Sequence, residues 1–374
     1  MLSVNLPAGP GDYLQRLDYL ENQNGPRGIE LKTSRIAEND YQWSTACAIS
    51  TRAFGGTIVW HVPDTWTKRM GFGDFDVNEL IEEMSIADWL FNRNFLDAMV
   101  MHLGSMRWVG DFPNLLQTDF RKRYLSPFSS AEMLSQIERT VERVAVIVRR
   151  FGPERILLEN TSLTLAEEVK DEEGKIIGIV NFLGPQIGIF ETVLYIARLT
   201  GAGVCLDTGH FNEARTLLLR KYGYRGLPTS LAHLAHVPGF DEGQSMRKLD
   251  QVAGYSLQKG ANPLITRDPL EVGWYIRHLS EIRYIHVDAS RSTFYPNWSG
   301  RWDGERPLLT DEDAERLALN DMIKIAAASP DHLGMAVENV GIDVYACATP
   351  RPTDWEGKRQ TFEFIQNRRL SLGF

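Results

Sequence analysis

Cysteine is scarce in this chain: Cys47, Cys205 and Cys347 are the only three in 374 residues. Three scattered thiols make no disulfide framework, which excludes a small stapled scaffold and fits a reducing compartment. No apolar run approaches the roughly 20 residues that span a bilayer, so no membrane partner is expected. The N-terminal stretch MLSVNLPAGPGDYL lacks a basic n-region and an apolar h-region. It does not read as a signal peptide, and a cytoplasmic setting is expected. Basic excess is also missing. A net charge of −9 argues against a general nucleic-acid coat, while leaving room for a local basic groove. Internal repeats and low-complexity tracts are absent. What remains is ordinary for a globular domain: 43% apolar residues, 24% charged residues and a mean hydropathy of −0.25.

Histidine is scarce too, with 8 in the chain, and its placement is not random. Short apolar runs close abruptly on residues that bind metals. TIVWH ends in His61, AMVMH in His102 and RILLEN carries Glu159. GVCLD ends in Asp207 with His210 three residues on, RYIHVD carries His286 and Asp288, and GMAVEN carries Glu338. Burying a carboxylate or an imidazole costs several kcal/mol unless it is paired or holds a cation. Six apolar runs with the same kind of ending point to a shared metal site.

The runs alternate with amphipathic segments. Strands are expected near 2–7, 28–31, 57–62, 98–103, 155–160, 203–207, 283–287 and 335–339. Helices are expected near 12–23, 38–53, 77–94, 130–150, 188–200, 311–328 and 354–368. In the 130–150 segment Met133, Ile137, Val141, Val144 and Val148 keep helical spacing. Eight strand–helix units predict an α/β protein, a single (β/α)8 barrel spanning residues 1–374. An open doubly wound sheet would carry a Gly-rich phosphate turn after its first strand, and PAGPGD is not one. Two insertions break the rhythm. Residues 161–187 hold a DEEG turn between short apolar runs and predict a hairpin after the fifth barrel strand. Residues 221–280, after the sixth, are rich in Gly, Pro and mixed charge and suit a lid or a homo-oligomer contact.

In such a barrel the C-terminal strand ends build the active site, which is where these residues fall. Glu159, Asp207, His286 and Glu338 come from four strands and suit Mn, Co, Mg or Zn with open positions for substrate. Taken singly each has a bland reading: Asp207 could cap the next helix and Glu159 could pair with an arginine. His61 and His102, on adjacent strands, are placed to share a second ion with Glu159. His210 is available to substrate or a third ion. His233 and His236 in LAHLAH have helical spacing without a carboxylate partner and read as ordinary helix residues. The 291–306 loop mixes Arg291, Arg301 and Arg306 with Phe294, Tyr295, Trp298 and Trp302. Aromatic faces stack on sugars or bases and arginines clamp phosphate or carboxylate, so this loop is a candidate substrate clamp.

The motifs LLENTS, GVCLDTGHF, YIHVDAS and AVEN, in this order and spacing, resemble the xylose-isomerase-like barrel superfamily, which includes endonuclease IV and the sugar isomerases and epimerases. The resemblance covers most of the chain apart from the two insertions. It implies that Glu159, Asp207, His286 and Glu338 match the metal ligands shared by both branches. In the endonuclease IV branch, which uses three zinc ions, His61 and His102 match the histidines of one additional ion and His210 a ligand of the third. MHLGS and LENTS are close to that branch as well. Its third ion further takes an Asp-x-His, where this chain has Asp303-Gly304-Glu305. That departure weighs against a third zinc and against DNA cleavage.

Two functions are therefore expected. The first is a divalent-metal sugar or sugar-phosphate isomerase or epimerase, with one ion and a small carbohydrate substrate. Glu159 and Glu338 would move the proton through an enediolate. The alternative is a zinc-dependent phosphodiester hydrolase of the endonuclease IV kind, with up to three ions and abasic DNA as its nucleic-acid partner.

Overall fold

The computed structural model describes residues 2–9, 12–32, 48–49, 51–62, 76–103, 130–161, 164–170, 176–183, 190–211, 280–288, 310–337 and 354–374. Among these, eight parallel strands close into a barrel. In chain order they are β1 (Val4–Ala8), β2 (Arg27–Lys32), β3 (Gly55–His61), β4 (Ala98–His102), β5 (Ile156–Glu159), β8 (Gly203–Asp207), β9 (Ile282–Val287) and β10 (Gly334–Val337). Each pairs with its neighbours in sequence order, and β1 closes the ring on β10. This is the expected (β/α)8 barrel. The expected hairpin after β5 is present as antiparallel β6 (Thr164–Lys170) and β7 (Ile176–Leu183).

The pleat explains how such apolar strands carry a polar site. Side chains alternate between the barrel interior and the helix layer. Ile58, Trp60, Met99, Met101, Ile156, Leu158, Val204, Leu206, Ile285 and Val287 face outward into the main core with the helices. Val59, Val100, Leu157, Cys205, Tyr284 and Ala336 form a separate buried cluster inside the barrel. Two residues further along, on the same inner face, come His61, His102, Glu159, Asp207 and His286. Each of these five strands thus seals the barrel floor with one side chain and presents the next inward-facing one to the mouth.

Below the apolar layer lies a polar hub. Asn5 donates to Tyr284 Oη at 2.9 Å and to Thr57 Oγ1 at 3.1 Å, and accepts from Ser3 Oγ at 2.7 Å. Gly28 is required beside it, since a Cβ there would lie 2.0 Å from the Thr57 carbonyl and 2.3 Å from Asn5 Oδ1.

The outer helices are α1 (Tyr13–Glu21), α2 (Val77–Glu83), α3 (Ile86–Asn92), α4 (Ser130–Phe151), α5 (Phe190–Thr200), α6 (Asp311–Arg316), α7 (Leu319–Ala328) and α8 (Asp354–Ser371). Two expected helices are each broken in two. Met84 and Ile86 are both buried, as are Leu317 and Leu319. A straight helix would set each pair roughly 200° apart, and with the break between them both members join the main core. Ala318 makes the second break in the left-handed region, at φ 53°. Of the expected 38–53 helix, residues 38–47 and 50 lie outside the described residues. No helix among the described residues is long and apolar enough to cross a membrane.

Candidate metal centre

Strand register brings the functional side chains together. His102 lies directly opposite Glu159 across β4 and β5, and Asp207 directly opposite His286 across β8 and β9. Glu159 is the hub, 1% exposed. Its Oε2 sits 3.1 Å from His61 Nε2 and 3.0 Å from His102 Nε2. Its Oε1 sits 3.0 Å from His286 Nδ1, and Asp207 Oδ2 is 3.8 Å from that same nitrogen. Donor atoms of His61, Glu159 and His286 all lie within 4.8 Å of one another. The rings of His61 and His102 meet edge-on at 4.9 Å, while His61 and His286 stack at 5.8 Å.

Burial by itself would raise the Glu159 carboxyl. His286, and then His102, outweigh that effect and hold it well below the ordinary carboxylate range. It is a committed anion. Asp207 is fixed by its own backbone: its N–H donates to Asn160 Oδ1, and Asn160 Nδ2 donates to its carbonyl, both at 2.9 Å. Its Oδ1 accepts from the His210 N–H at 2.6 Å, so the helix-cap reading of Asp207 holds alongside its place in the site. The His210 ring sits at the rim, with Nδ1 3.9 Å from Asp207 Oδ1 and its centroid 6.5 Å from that of His102. Asp288 packs beside this turn: its backbone N–H donates to Thr208 Oγ1 at 3.0 Å, and a Cβ on Gly209 would lie 2.6 Å from Asp288 Oδ2.

One member of the constellation was not expected. Glu30, 1% exposed in the middle of β2, has Oε2 2.8 Å from His286 Nε2. Its Oε1 lies 3.4 Å from Lys32 Nζ at the end of the same strand. The available signal was a carboxylate inside the apolar run GIEL, one pleat short of the strand end. Reading strand ends alone passes over it.

The donor set fits a divalent cation. Three imidazoles surround one carboxylate, and three buried carboxylates (Glu30, Glu159 and Asp207) converge on them. This is a nitrogen and oxygen environment suited to Zn, Mn or Co. Glu338, Asp303 and the loop residues Arg291, Trp298, Arg301 and Trp302 lie outside the described residues, as do His233, His236 and residues 221–279.

No protein-family model and no curated protein matches the sequence. Among solved structures the chain is similar to endonuclease IV from Thermus thermophilus, at 15% identity and a TM-score of 0.45, over 98% of this chain and 100% of that one. It is similar to SacUVDE at 10% identity and a TM-score of 0.32, over 99% and 98% of the two chains. It also overlaps the TTHB071 protein of Thermus thermophilus, soaked with zinc chloride, at 18% identity and a TM-score of 0.26, over 56% and 68%. The barrel itself is established by its own strand order.

Proposed function

We propose that this chain is a divalent-metal-dependent phosphodiester hydrolase, with abasic DNA as the first substrate class to test. One observation carries the reading: both oxygens of Glu159 are shared, Oε2 between His61 and His102 and Oε1 with His286 beside Asp207. A carboxylate shared in this way could serve two ions, one on each oxygen. Asp207 and His286, with Glu338 as a proposed fourth ligand beside Glu159, would hold one ion. His61 and His102 would hold the other. Ions bound there would polarise water and neutralise charge on a phosphoryl group. The residues do the rest. Asn160 keeps Asp207 in place, His210 faces the rim where a substrate enters, and the Arg291, Trp298, Arg301 and Trp302 loop would clamp phosphate and stack on the sugar or base. Asp303 is proposed as a further ligand or substrate contact there.

Sugar isomerisation or epimerisation is the second reading, favoured by the net charge of −9, which suits a neutral substrate better than a polyanion. It would need Glu159 or Glu338 to take a proton from carbon. Glu159 is poorly suited to that, because three histidines crowd its oxygens and His286 and His102 hold its carboxyl well below the ordinary range, which makes it a weak base. The test is direct. Protein loaded with Zn or Mn should incise an abasic-site duplex, should lose that activity to a chelator, and should lose at least about a hundredfold in rate as Glu159→Gln. Interconversion of sugars in a substrate panel, without incision, would overturn the hydrolase reading in favour of the second.

A further inference from the structure

Resting on the metal-centre reading, we infer that Glu30 is a positioning residue that orients His286 toward the metal. His286 is fully buried, with a carboxylate on each ring nitrogen. The two sides are not equivalent. Nδ1 faces Glu159 Oε1 at 3.0 Å and Asp207 Oδ2 at 3.8 Å, so it borders a space where two carboxylates from different strands converge. Nε2 meets Glu30 Oε2 at 2.8 Å, from the opposite side of the barrel. A cation therefore belongs on the Nδ1 side, and Nε2–H donates to Glu30. A carboxylate accepting from the distal N–H of a ligating histidine fixes the tautomer, holds the ring plane and makes the ligating nitrogen more basic. Glu30 is itself held. Lys32 Nζ stands 3.4 Å from its other oxygen, which leaves Oε2 aimed at the ring. The strand supplies the rest: Lys32 pairs in register with His61, so Glu30 sits one pleat below the proposed ligand layer, where it can support a ligand from behind.

The experiment compares wild type, Glu30→Gln and Glu30→Ala for Zn affinity by competition with a chromophoric chelator. It also follows the ¹⁵N shifts of His286 in metal-free and Zn-loaded protein. Glu30→Ala should weaken Zn binding by about 10- to 100-fold, and the neutral acceptor in Glu30→Gln should give a loss near the lower end of that range. The distal N–H signal of His286 should survive in Glu30→Gln and be lost or exchange-broadened in Glu30→Ala. Should Glu30→Ala fail to fold, Glu30→Gln with an unchanged melting temperature still decides the matter. Wild-type Zn affinity in Glu30→Gln would overturn the role of Glu30 while leaving the metal centre intact. A wild type that binds no Zn would overturn the metal-centre reading and this inference with it.

Discussion

At the scale of single residues, environment decides what each titratable group does. Glu159 is an anion because its histidines outweigh its burial, and Cys205, two residues short of Asp207, is a thiol pushed up by burial. Away from the mouth, His332 precedes β10 with its Nδ1 accepting from the Gly334 N–H. Burial, and then Arg283, lowers it from 6.5 to about 4. Above pH 6.5 it is neutral in both folded and unfolded chains. Between 6.5 and about 4 the unfolded chain takes up a proton that the folded one refuses, so stability falls as pH falls through that window. The ring is only half-buried, and the loss attributable to it is between about 1 and 3 kcal/mol. His332→Asn keeps an acceptor for Gly334 and should lessen the fall in urea midpoint between pH 6.5 and 4. Parallel pH profiles for the two proteins would show that His332 does not titrate on unfolding.

At the scale of elements, two-residue and 3.6-residue periods account for both what could be read in advance and what could not. Strand positions were legible because apolar runs such as TIVWH and AMVMH alternate with long amphipathic stretches, and their polar endings marked the site. Helix breaks were not. Leu317 and Leu319 are each plausible core residues, and nothing in their spacing marks the break that the chain makes at Ala318. Glu30 was missed for a related reason: its place in the site depends on register against β3 and on a histidine more than 250 residues away in sequence. The break at Ala318 carries a prediction. Alanine in the left-handed region at φ 53° is strained by its Cβ, and glycine is not. Ala318→Gly should raise stability by about 1 kcal/mol, read as a higher urea midpoint. A lower midpoint would mean that the greater freedom of glycine in the unfolded chain outweighs the relief of strain.

At the scale of the whole molecule, the barrel must be closed before the site exists, because the residues converging on Glu159 come from strands all around the ring. Closure joins β1 to β10, and helix α8 ties down the chain where it enters β1 and β2. Arg369, 1% exposed, donates through Nη1 to the carbonyls of Leu2 at 3.0 Å and Pro26 at 2.9 Å, and through Nη2 to Asn24 at 3.2 Å. Methionine in its place would fill much of the volume and remove the guanidinium donor from all three carbonyls, of which Pro26 alone, among the described residues, keeps another, the Val4 N–H. Arg369→Met should cost about 3 kcal/mol in unfolding free energy. A loss below about 0.5 kcal/mol would mean that water replaces the guanidinium at no cost. Closure in turn sets the floor of the site, since Val59, Val100, Leu157, Cys205, Tyr284 and Ala336 fill the interior beneath the histidines and exclude water from below.

All of this converges on Glu159 as the carboxylate at the heart of the proposed metal centre. Metal content per chain, measured by plasma mass spectrometry on untagged protein purified without chelators, tests that most directly. Wild type should carry Zn or Mn at more than one ion per chain, and Glu159→Gln, folded by circular dichroism, should carry almost none. A metal-free wild type that takes up no ion on addition of Zn or Mn, or a Glu159→Gln protein that keeps the full complement, would contradict it.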